Sequence, residues 1–111
     1  MKHGRTPARV RVEPSSIHGQ GLFAAQPISD GQWIGSYDGP VVTENDTYVL
    51  WIEDVNGGWT GYDGQNELRY LNHASRPNAE MDGLDCYALR DIQPGEEITI
   101  DYGWDEEDQL D

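Results

Sequence analysis

Gly95-Glu96-Glu97-Ile98-Thr99-Ile100-Asp101-Tyr102-Gly103 alternates with the two-residue period of a β-strand, which sets Ile98, Ile100 and Tyr102 on one face and the Tyr102 phenol in apolar surroundings. The strand follows a turn pair, Pro94-Gly95. Its pattern has an echo 64 residues upstream, where Phe23-Ala24, Ile28, Gly31 and Ile34 match Tyr87-Ala88, Ile92, Gly95 and Ile98. Each copy reads as a hairpin whose isoleucine packs under a glycine turn, so the core is expected to be all β.

The rest of the chain has the same texture. Short runs rich in Val, Ile, Tyr, Trp and Thr predict strands near 8–13, 21–25, 32–37, 47–54, 58–62, 79–82, 85–90 and 97–102. Turns are expected at Gly19-Gln20-Gly21, Asp30-Gly31, Asn56-Gly57-Gly58, Asp82-Gly83 and Pro94-Gly95. A short helix near 65–71, after Asp63-Gly64, is the best helical candidate.

With 111 residues the chain is sized for one domain and one modest core. No window approaches the roughly 20 apolar residues that cross a bilayer, and no apolar stretch follows the basic N-terminus, so a cytoplasmic address and no membrane partner are expected. Cys86 is the only cysteine, which excludes an internal disulfide and a multi-cysteine zinc cluster; no metal is expected. The formal net charge is -14, and beyond Arg11 only Arg69, Arg76 and Arg90 face 21 carboxylates. Such a surface repels nucleic acid phosphates and attracts basic protein segments. It also reads as a device for solubility.

Four segments, taken together and in order, resemble the SET-domain family of protein-lysine methyltransferases, in its compact bacterial or viral-like form. They are Ser16-Ile17-His18-Gly19-Gln20-Gly21-Leu22-Phe23-Ala24, Ile34-Gly35-Ser36-Tyr37-Asp38-Gly39, Arg69-Tyr70-Leu71-Asn72-His73-Ala74-Ser75-Arg76-Pro77-Asn78-Ala79, and the strand segment 95–103. The resemblance spans about residues 8–104, leaving 1–7 as a basic N-terminus and 105–111 as an acidic tail. It implies a mainly β fold of short strands in small sheets, with little helix and a knot-like threading that brings Asn72 close to Tyr102.

The resemblance also implies S-adenosylmethionine as cofactor and a basic protein or lysine-rich tail as substrate. His18, Gly19, Gln20, Gly21, Arg69, Tyr70, Asn72, His73, Tyr102 and Trp104 would hold the cofactor. The glycines at 19 and 21 are expected to take positive φ and let the backbone approach it. Tyr102 is the implied catalytic residue, with Tyr37 beside it, and Tyr37, Met81, Ile100 and Tyr102 would line the lysine channel. From its strand alone Tyr102 reads equally as a core tyrosine capping a backbone carbonyl. Three positions depart from the family pattern: Ala74 replaces a serine or cysteine, Ile100 an aromatic residue, and Met81 a channel tyrosine. The cysteine-rich segment that many members carry after the tyrosine has no counterpart, so closure by Trp104, the acidic tail or a second subunit in a homodimer is expected. The rival expectation is a non-catalytic SET-like module that binds basic tails.

Overall fold

The computed structural model describes residues 7–53 and 55–102. In chain order they form β1 (Val10–Pro14), β2 (Gln20–Ala24), β3 (Trp33–Ser36), β4 (Val41–Val42), β5 (Val49–Glu53) and β6 (Trp59–Asp63), then a 3-10 turn at Glu67–Tyr70, then β7 (Asn72–His73), β8 (Ala79–Asp82), β9 (Asp85–Ala88) and β10 (Glu97–Ile100). The strands make three small sheets, ordered β1-β2-β10-β7, β3-β9-β8 and β4-β6-β5. The expected mainly β architecture is therefore present. Among the described residues no helix is long and apolar enough to cross a membrane.

The helix expected at 65–71 shrinks to the 3-10 turn. Its Asn66 cap is extended and makes no side-chain cap bond, while Arg69 N donates to Asn66 O at 3.1 Å and Leu71 N to Leu68 O at 3.1 Å. Four residues closed by i to i+3 bonds have no length to become an α-helix. The strands β4 and β7 escaped the sequence reading because two residues cannot display a period. The last strand ends at Ile100 rather than Tyr102.

The echo between 23–34 and 87–98 is not two separate hairpins. The strands are exchanged between the copies: β2 of the first pairs with β10 of the second (Glu97↔Phe23, Ile98↔Leu22), and β3 of the first pairs with β9 of the second (Trp33↔Tyr87). The turns follow the same rule. Gly31 N donates to Ala88 O at 2.8 Å and Gly95 N to Ala24 O at 2.8 Å, while Ile28 and Ile92 exchange both backbone bonds at 2.9 and 2.8 Å. Both glycines have positive φ, 81° and 88°, a conformation that costs a side-chain-bearing residue. An isolated hairpin has too little apolar surface to stand alone, whereas the exchange buries Ile28, Ile34, Ile92 and Ile98 in one shared core with Leu22 and Cys86.

The interior strand β10 runs antiparallel to β2 on one side and parallel to β7 on the other, with Thr99↔Asn72 and Ile100↔His73 in register. Ile98, Thr99 and Ile100 are all buried, so the alternation expected there is covered on both faces. Asn78 fastens the returning chain to this strand: its Nδ2 donates to Glu97 O at 2.8 Å, and its Oδ1 accepts from Thr99 N at 2.8 Å.

Candidate active site

The turn between β1 and β2 is held by polar bonds. Residues 16–20 are all exposed, so apolar packing does not shape them. Asn72, buried at the start of β7, sends its Nδ2 to His18 O and Gln20 O, both at 3.1 Å, to Glu97 Oε2 at 2.8 Å and to Ser15 Oγ at 3.2 Å. All four partners can accept, and two are carbonyls that cannot donate, so the amide nitrogen faces the turn and Oδ1 faces away. Gly19 takes a φ of 44°, and a Cβ there would meet nothing within 4 Å, so that side of the turn is open. Gly21 lacks the expected positive φ. Its need for glycine is steric, because a Cβ would lie 2.4 Å from Glu97 Oε2 and 3.0 Å from the Ser15 Cβ.

Beyond β10 the chain is tied back to the segment around β7. Tyr102 N donates to His73 Nδ1 at 3.0 Å, the two rings lie 5.3 Å apart, and the Tyr102 hydroxyl donates to Leu71 O. A nitrogen that accepts a backbone N–H carries no proton, so Nδ1 of His73 is occupied as an acceptor although Asp101 Oδ1 lies 3.7 Å away. Tyr102 is 43% exposed, less sheltered than the alternation implied, because the strand has ended two residues before it. Burial of its ring, and next the Glu97 carboxylate, still hold its phenol above the ordinary tyrosine pKa.

Tyr102 stands in the wall of a cleft of about 630 Å³, which it shares with Tyr37, Arg69, Leu71, Met81 and Ile100. The strand β5 and Trp59 line it as well. The Tyr37 hydroxyl donates to Tyr48 O at 2.5 Å. Burial first, then Tyr102 and Asp63, push its pKa up to about 12 against the opposing Arg69 charge. Arg69 lies over the Tyr48 ring at 3.9 Å, a cation–π distance, and its buried Nε has no hydrogen-bond partner among the described residues.

The expected site residues thus fall into two groups, joined by the parallel pairing of β7 with β10. His18, Gly19, Gln20, Gly21 and Asn72 meet at the turn, while Tyr37, Arg69, Met81, Ile100 and Tyr102 meet at the cleft, and His73 joins them through Tyr102. The Tyr70 ring sits against Tyr48 at 5.9 Å. Trp104, the residues 1–6 and the acidic tail lie outside the described residues. Sequence reasoning missed Ser15, Glu97, Tyr48 and the Leu71 carbonyl. Glu97 lies in the 95–103 segment, and Gly21 was expected to need positive φ, so its close approach to the Glu97 carboxylate emerged only in the structure.

The SET domain model matches residues 19–103. The chain is similar to histone-lysine N-methyltransferase set1 of Dictyostelium discoideum, 30% identical across 90% of this chain and 8% of that protein. It is also similar to histone-lysine N-methyltransferase ash1 of Drosophila melanogaster, 35% identical across 78% of this chain and 5% of that protein. The chain thus spans less than a tenth of either curated relative. Among solved structures, the methyltransferase domain of human histone-lysine N-methyltransferase SETMAR superposes with a TM-score of 0.73 at 26% identity, over 86% of this chain and 44% of that one. With the family model and the superposition in agreement, the chain belongs to the SET-domain family.

Proposed function

We propose that the protein is an S-adenosylmethionine-dependent protein-lysine N-methyltransferase acting on a lysine of a basic protein. The observation that carries this reading is the gathering of Tyr102 and Tyr37, each with its hydroxyl on a backbone carbonyl, and of Arg69 in the wall of one cleft. The relatives' names support the reaction class, and the excess of acidic residues supports a basic substrate.

The turn suits the cofactor in its chemistry. The open face at Gly19 gives a ligand access to the backbone of the turn, whose peptide groups both donate and accept. When bound, S-adenosylmethionine supplies an electrophilic methyl on a sulfonium that leaves as a neutral thioether. The chain does the rest. A free lysine amine near pH 7 costs about 4–5 kcal/mol to deprotonate, and loss of water on entering the cleft, beside the Arg69 charge, reduces that cost by disfavouring the charged form. The Tyr102 hydroxyl, held by Leu71 O, and the nearby carbonyls orient the amine lone pair for in-line attack, so most of the acceleration is positioning. The amine proton leaves to water.

The test is transfer of labelled methyl from S-adenosylmethionine to a panel of basic proteins and lysine-rich peptides, with wild type beside Tyr102→Phe. Lysine-linked label that falls in the variant is expected. Absence of both transfer and cofactor binding overturns the reading and leaves a non-catalytic acidic module.

A further inference from the structure

We propose that Glu97 is a positioning residue: with Ser15 and Asn72 it locks the exposed 16–20 turn into the shape that receives the cofactor. The lock rests on geometry, and its assignment to the cofactor rests on the proposed function.

The Ser15 hydroxyl has a single proton and accepts bonds from Ile17 N at 2.9 Å and His18 N at 3.3 Å. Its proton goes to the Glu97 carboxylate, at 2.8 Å from Oε1 and 2.9 Å from Oε2. Asn72 Nδ2 reaches the same Oε2 at 2.8 Å while donating to the carbonyls of His18 and Gln20. The N–H groups at one end of the turn and the carbonyls at the other are thus gathered by two side chains, and both of those donate to one carboxylate. Glu97 is the side chain of this network that only accepts, which fixes the direction of the bonds it receives from Ser15 and Asn72.

Two further observations fit a dedicated lock. Gly21 leaves the space that the carboxylate occupies, since a Cβ would lie 2.4 Å from Oε2. The turn residues are exposed, so these polar bonds, rather than a core, hold their conformation. Glu97 also begins β10, the strand that leads to Tyr102, so the same residue ties the cofactor turn to the catalytic strand.

The test is a double-mutant cycle on the full chain with Glu97→Ala and Ser15→Ala, and with Glu97→Gln as the conservative variant. The readings are the Kd for S-adenosylmethionine by calorimetry, kcat at saturating cofactor, and amide exchange at Ile17 and His18. Losing charge-assisted bonds is expected to raise the Kd of Glu97→Ala by roughly tenfold or more, and to lower kcat at saturating cofactor by a smaller factor than it raises Kd. Glu97→Gln recovers part of the affinity, the Ser15 and Glu97 effects are not additive, and exchange at both amides accelerates. A folded Glu97→Ala with unchanged Kd, an additive cycle, or unchanged exchange overturns the lock. If Glu97→Ala does not fold, Ser15→Ala and Glu97→Gln decide by the same criteria. If wild type binds no S-adenosylmethionine, the cofactor reading fails, and exchange at Ile17 and His18 decides the lock by itself.

Discussion

The hydroxyl of Tyr102 donates to the backbone carbonyl of Leu71, 31 positions earlier in the chain. The bond joins the segment after β10 to the residue before β7, the pair of strands that run parallel. With Tyr102 N on His73 Nδ1, it holds the residue by its main chain and by its hydroxyl.

Tyr102→Phe keeps the ring and removes the bond. With the side chain 43% exposed, the loss of stability is expected to stay within about 1 kcal/mol. Methyl transfer is expected to fall by roughly a hundredfold or more, because the orienting group is gone. Thermal melting run beside the transfer assay separates the two effects, and a variant that retains full transfer contradicts the role given to Tyr102.

Asn78→Ala is expected to be among the costly substitutions. Asn78 is 3% exposed and satisfies Glu97 O and Thr99 N, both on β10, and removing it leaves those groups buried without their partner. A loss of about 2–4 kcal/mol follows, a drop in Tm on the order of 10 °C for a domain of this size. Denaturation with urea measures it; a change below about 1 kcal/mol means that water replaces both bonds.

Tyr37 gives the protein an alkaline limit. Its folded pKa is about 12, whereas an unfolded tyrosine ionises near about 10. The folded state therefore holds this proton more tightly. The associated stability is complete below pH ~10 and is lost as pH rises from there through the folded pKa. Ultraviolet difference titration of wild type against Tyr37→Phe is expected to show that this phenol stays un-ionised at pH ~10. An ordinary tyrosine titration in the difference contradicts the burial argument.

Cys86 reports on unfolding. It is 0% exposed, and burial, with a smaller contribution from Glu80, pushes its thiol up to about 12. An aromatic disulfide reagent at mildly alkaline pH is expected to leave the native chain unmodified and to titrate one thiol in urea. Rapid modification of the native chain means that the core opens around β9.

The turns were legible because they are local. Gly19, Gly31, Gly57, Gly83 and Gly95, one from each expected turn, have positive φ, and turn chemistry is written in neighbouring residues. The ordered motifs around Asn72 and Tyr102 were legible for the same reason. The echo at an offset of 64 was visible as a pattern, but its meaning was not: nothing in either copy tells whether a strand pairs with its own turn or with that of the other copy.

The amino-acid sequence by itself determined the β class, the positions of the reversals and the family. The tertiary structure decided the rest: that Asn72 spends its amide nitrogen on His18 and Gln20, that Glu97 receives Ser15 from 82 positions away, that Gly21 exists to clear a carboxylate, and that Tyr102 and Tyr37 end on backbone carbonyls. The reason is physical. Turn propensity and strand period arise among adjacent residues. A hydrogen bond to a distant main-chain carbonyl has a partner that every residue carries, and only the folded chain selects which one comes within reach.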